Sequence, residues 1–133
     1  MTGFILDTNI VGHMVRGHPV VMRHVTALPM SQLFLSVVTE AELLYGLAKR
    51  PDAIKLRRLV TELLLRLEVL PWDREAAATY GQMRAGLEAR GFTLGNADQM
   101  IAAHALSRQM TLISNDQAFG KIGRLSLQDW TKP

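Results

Sequence analysis

Short apolar runs alternate with longer stretches of helical periodicity along the chain. The first run, "GFIL" at 3–6, ends on Asp7, and a helix is predicted from near Thr8, with a second over about 18–28. "QLFLS" at 32–36 reads as the next strand. A helix through "VVTEAELLYGLAKR" follows it and stops near Lys49, Arg50 and Pro51. In 53–67, Leu56, Leu59, Leu63 and Leu67 fall at i, i+3, i+7 and i+11, which predicts a helix with these leucines in the core. "EVLP" at 68–71 is a short strand ended by Pro71, a helix covers about 73–90, and "GFTLGN" is a turn-rich connection. A helix over 97–108 leads into strand "TLIS" at 111–114. A short helix after "ND" and a last edge strand in "LSLQDW" close the chain. This alternation predicts an α/β fold around a mainly parallel sheet.

Composition narrows the picture. The 133 residues suit one domain, 1–133, with one core, and 48% hydrophobic with 20% charged residues argues against disorder. No apolar run approaches the ~18 residues that would suggest a membrane span. No basic region precedes the first apolar run and Asp7 interrupts it, so no signal peptide is expected. The absence of cysteine excludes disulfides and thiolate metal sites, and suits a reducing cytoplasm.

Asp7 poses the chemical question. A buried, unpaired carboxylate is costly, so it caps a helix, reaches solvent or holds a cation. Three other acids have similar placements: Glu42 early in the helix after "LFLS", Asp98 in the first turn of "NADQMIAAHA", and Asp116 after "TLIS". Capping explains each one separately, because acids are favoured at helix N-termini. "TEAE" (Thr39–Glu42) fits a capping box, and "NADQ" (Asn96–Gln99) a looser one. Four such placements at one edge of one sheet predict that the carboxylates converge. Converging carboxylates raise one another's pKa unless a cation neutralises them, and all-oxygen coordination suits Mg²⁺ or Mn²⁺. Glu40 lies about 200° around the helix from Glu42 and is expected to face solvent.

Charge adds to this. The chain has 15 bases against 12 acids, and setting the four acids aside leaves eight, so the rest of the molecule carries +7. An acidic centre on a basic body suits a polyanionic substrate. Lys49, Arg50, Arg84 and Arg90 are candidate phosphate contacts, each with solvated helix charge as the plain alternative. His13, His18, His24 and His104 offer a rival acid–base route, but no HxH or HExxH spacing appears. Trp72, Trp130, Tyr45 and Tyr80 are expected mainly in packing.

"FILDTNI", "SVVTEAELLYG", "NADQMIAAHA" and "LISNDQAF" together resemble the four acidic signatures of PIN domains, and most closely those of the VapC toxin ribonucleases of bacterial VapBC toxin–antitoxin pairs. The likeness spans nearly the whole chain. The resemblance implies a three-layer α/β/α sandwich, and Asp7, Glu42, Asp98 and Asp116 as metal-binding acids, with Asn9 and Ser114 supporting metal or substrate. The resemblance also implies a homodimer, inhibition by a VapB-like antitoxin inserted into the active groove, and a structured RNA substrate, with the anticodon loop of initiator tRNA as one candidate. Any surplus of the 56–67 stripe would then face a second copy or the antitoxin. Glu42 is left with three roles: metal ligand, holder of a water, or base.

Two rivals remain. A Mg-dependent phosphatase or phosphotransfer domain also places an aspartate after its first strand. It needs a second acid two positions on, where this chain has Asn9. A non-catalytic PIN-like RNA-binding module would be expected to have lost acids, and all four are present.

Overall fold

The computed structural model describes residues 3–133. Five strands, β1 (Phe4–Leu6), β2 (Leu33–Ser36), β3 (Glu68–Leu70), β4 (Thr111–Ile113) and β5 (Leu127–Gln128), form one sheet in the order β3-β2-β1-β4-β5. Every pairing is parallel. The helices are α1 (Thr8–Val15), α2 (Pro19–Thr26), α3 (Val37–Ala48), α4 (Ile54–Arg66), α5 (Arg74–Ala89) and α6 (Asn96–Arg108), and two 3-10 turns span Met30–Gln32 and Gln117–Lys121. None of the described helices is long and apolar enough to cross a membrane.

The strands alternate faces, as the two-residue period of a strand requires. Ile5 and Leu112 join Met83, Leu87, Ile101 and Phe119 in the core under α5 and α6. Leu6, Leu33, Leu35 and Ile113 join Ile10, Val11, Val21 and Trp130 on the other face. Burial on both faces is what parallel strands need, and the result is the expected three-layer sandwich.

The chain builds outward from β1 through β2 to β3, then returns to the other side of β1 as β4. Strand order therefore reverses between β1 and β4, and in open α/β sheets the crevice at that point, beyond the carboxyl ends of the strands, is where ligands bind. Asp7 lies there.

Three local expectations are corrected. The cap of α3 is Ser36, whose Oγ accepts from the Val38 N–H at 3.1 Å, so "TEAE" sits inside the helix and Thr39 is buried. The helix grows directly out of β2, which leaves no room for a cap three residues later. Glu40 is consequently half-buried rather than solvent-facing. At α6 the cap position is Gly95, and Gln99 donates to the Leu94 carbonyl at 2.8 Å instead of closing a box with Asn96.

The leucine stripe is also displaced. The buried side of α4 is centred on Val60, with Leu63, Leu64 and Leu67, whereas Leu59 is 38% exposed. Leu56, in the first half, is half-buried. The start of the helix, at Ile54, is open to solvent.

Candidate active site

Asp7 is at once a cap and a charge problem. Its Oδ1 accepts from the Ile10 N–H at 2.9 Å, closing the N-terminus of α1, and its own N–H donates to the Ile113 carbonyl across the sheet. Oδ2 accepts from the Ser114 hydroxyl at 2.5 Å. The residue is only 4% exposed. Burial pushes its pKa from 3.8 up to about 6, and the charges of Asp98 and Asp116 push the same way, against the two hydrogen bonds.

Ser114 joins two of the acids. While donating to Asp7, its Oγ accepts from the Asp116 N–H at 3.0 Å. Asp116 in turn caps the following 3-10 turn through the Ala118 N–H at 2.9 Å. Asn115, between Ser114 and Asp116, is an exposed bend residue.

Glu42 lies in the second turn of α3, half-buried, and its Oε1 accepts from the Thr8 hydroxyl at 2.5 Å. Thr8 escaped the sequence reading, although its place beside Asp7 in "DTN" was the available signal. Asp98 stands in the first turn of α6. Its pKa is raised by burial first, then by the charges of Glu42 and Asp116. The four acids thus form one electrostatically coupled set. They are not yet a ligand cage: among the described residues, no three Asp, Glu or His side chains stand close enough to hold one ion.

The remaining candidates divide clearly. Asn9 is exposed on α1 and forms no hydrogen bond with the four carboxylates. Lys49 and Arg50 lie at the C-terminal end of α3 and line, with Arg16, a groove of about 290 Å³ that also contains Thr8 and Glu42. Arg84 is committed elsewhere, to Glu88 at 2.9 Å and to the Tyr80 hydroxyl at 2.7 Å. Arg90 donates to the Lys121 carbonyl at 2.8 Å.

The histidines keep away from this set. His104 is fully buried, with Nδ1 2.8 Å from the Ser36 hydroxyl, and burial together with Arg108 lowers its pKa. His13 and His18 meet edge to face, and His24 stacks on Trp130. Trp72 donates to the Met100 carbonyl. Tyr45, 64% exposed beneath the Lys49 ammonium, is the one aromatic of the four not used in packing.

Comparison with known proteins agrees with the geometry. Residues 4–125 match the PIN domain family. The chain is 35% identical over 132 residues to the tRNA(fMet)-specific endonuclease VapC of Shigella flexneri, covering 98% of this chain and 100% of that one. It is 31% identical to ribonuclease VapC2 of Rickettsia felis, covering 97% and 98%. Among solved structures, DNA-bound VapBC from Salmonella typhimurium superposes with a TM-score of 0.90 at 36% identity, covering 98% and 99%. The chain belongs to the PIN-domain family, within its branch of VapC toxin ribonucleases from VapBC toxin–antitoxin systems.

Proposed function

We propose that the chain hydrolyses RNA phosphodiesters with the help of a divalent cation held by Asp7, Asp98 and Asp116, with Glu42 beside them. The observation that carries this reading is Asp7: a buried carboxylate with its pKa raised, facing two more acids. Among the described residues no basic side chain pairs with it; the one salt bridge is Arg84–Glu88. All-oxygen, underneutralised donors suit a hard cation such as Mg²⁺ or Mn²⁺, which would have to draw the three carboxylates closer together than they stand here.

When bound, such a cation supplies positive charge that polarises the phosphodiester and makes water more acidic. The protein's own part is orientation. Ser114 fixes Asp7 relative to Asp116, and Thr8 holds one oxygen of Glu42, leaving the other free to take a proton or hold the attacking water. Hydrolysis of this kind leaves 5′-phosphate and 3′-hydroxyl ends and does not use the 2′-hydroxyl.

The substrate we infer is an exposed RNA loop. Unpaired bases can be splayed into a crevice at a sheet edge, and duplex cannot. Initiator tRNA, named for two of the relatives, is the first substrate to try. The groove beside Glu42 has an apolar floor, including Leu43, Leu56 and Val60, and a cationic rim of Arg16, Lys49 and Arg50. It suits the C-terminal segment of a VapB-like antitoxin. The exposed α3 face with Leu44 and Tyr45 suits a second copy of the chain.

Induced expression tests the toxin reading directly. Wild type should arrest growth, and Asp98→Asn should not. Equal toxicity of the two proteins overturns the assignment of the acids. No observation favours the phosphatase alternative, because Asn9 leaves the second acid of that chemistry missing.

A further inference from the structure

Beyond the carboxylates, on the side of Asp116, two cations share one aromatic ring. The Arg90 guanidinium lies 5.4 Å from the centroid of Phe92, and the Lys121 ammonium 4.8 Å from it. Arg90 also donates to the Lys121 carbonyl at 2.8 Å, which joins the end of α5 to the 3-10 turn that Asp116 caps.

The backbone fixes this arrangement. α5 ends in a Schellman turn: the Phe92 N–H reaches the Leu87 carbonyl at 2.9 Å and the Gly91 N–H reaches that of Glu88 at 3.0 Å. Gly91 takes φ +80°, which favours glycine. Phe92 is folded back against the core under α5 and α6, and its remaining surface carries the two cations.

Nothing within the described residues neutralises them. The salt bridge there is Arg84–Glu88, and the neighbouring groove, which holds Arg90 and Arg124, is lined by no Asp or Glu. Each ring contact stabilises its exposed cation only weakly. Two like charges against one ring, with donors unused, attract an anion. Arg90 also favours the C-terminal dipole of α5, but that accounts for one cation and not for Lys121.

Position indicates which anion. Lys121 is five residues beyond Asp116 along a 3-10 turn, ~10 Å at ~2 Å per residue, or roughly three steps of a stacked strand at ~3.4 Å. Asp116 follows β4 and Glu42 follows β2, on opposite sides of Asp7. A strand crossing the carboxylates from the Lys49 and Arg50 side would therefore leave over Phe92.

We propose that Arg90, Phe92 and Lys121, with Arg124 beside them, form a cradle that grips RNA backbone phosphates on the Asp116 side of the cleavage site. The proposal rests on the ribonuclease reading, and its test separates the two. Binding of a fluorescent oligouridylate and of a fluorescent RNA stem–loop is measured against KCl concentration, using Asp98→Asn protein to prevent cleavage. Adding R90Q and K121Q should weaken binding about ten-fold near ~0.15 M salt. It should also reduce the slope of log affinity against log salt by ~1.4, at ~0.7 per single-strand phosphate contact. R90K with K121R should keep the slope, which excludes misfolding as the cause. Unchanged affinity and slope in the double Gln protein, with RNA still bound by the parent, overturns the cradle and leaves the ribonuclease reading intact. No RNA binding by the parent, and no cleavage by wild type, overturns both. Unaltered RNA binding with lost binding of a polyglutamate peptide would make the cluster a protein-docking patch and overturn the proposal.

Discussion

Replacing Asp7 by Asn isolates the conflict built into the site. The change keeps a capping oxygen for the Ile10 N–H, since Asn caps about as well as Asp, and removes the buried charge. The difference between a folded pKa of about 6 and 3.8, at ~1.4 kcal/mol per pH unit, makes ionised Asp7 cost about 3 kcal/mol in the metal-free protein. The sign follows from the raised pKa. Between pH 3.8 and 6 the folded state holds a proton that the unfolded chain has lost. The contribution of Asp7 is thus fully present below 3.8 and is lost as pH rises through 6, with a slope near −1.4 kcal/mol per unit. Ser114 offsets part of the gain in Asp7→Asn, because its hydroxyl loses a charged acceptor. The expected net stabilisation at pH 8 is ~1–3 kcal/mol, or roughly 3–10 °C in Tm for a chain of this size. Urea melts in EDTA at pH 4 and pH 8 measure it, with the wild type minus variant difference cancelling the other carboxylates. A variant less stable than wild type at pH 8, or a difference independent of pH, would refute the reasoning and leave Asp7 as a cap alone.

Two further perturbations follow from the hydrogen-bond network. Ser114→Ala should destabilise the apo protein by ~1–2 kcal/mol, and raise the Asp7 pKa further, because it deletes a bond to each of two acids; carboxyl NMR titration reads the second effect, and an unchanged or lower Asp7 pKa contradicts it. His104 acts with the opposite sign to Asp7: its folded pKa is depressed, so the unfolded chain binds the proton more readily and stability is lost as pH falls through 6.5. Imidazole NMR should find His104 mostly neutral at pH 6.5, and a mostly protonated ring there would contradict the effect of its burial.

Much of this was legible in the sequence for simple reasons. Strand and helix periods show in windows of a few residues, so β1 to β5 and α1 to α6 appeared close to their final bounds. Acids that end a strand or open a helix stand out against apolar neighbours, which is why Asp7, Glu42, Asp98 and Asp116 were found together. What was missed depends on distant partners. Thr8 meets Glu42 34 positions away, His104 meets Ser36 68 away, and Ser114 meets Asp7 107 away, so no local pattern encodes these bonds. The Arg90, Phe92 and Lys121 cluster was visible only as Arg90, because a Schellman turn and a 3-10 helix had to bring the other two to it. Gln109, at φ +56° where glycine is usual, gave no warning that α6 ends there in a left-handed residue.

The central claim, hydrolysis at these carboxylates with a divalent cation, is tested most directly by the chemistry of the cut ends. Initiator tRNA incubated with the wild-type protein in Mg²⁺, and separately in EDTA, is probed for 5′-phosphate by a phosphate-requiring ligation and for 3′ termini by mass. The account predicts 5′-phosphate and 3′-hydroxyl ends that appear only with Mg²⁺ or Mn²⁺ and not with Asp7→Asn. Ends bearing 2′,3′-cyclic phosphate, or cleavage that persists in EDTA, would contradict it.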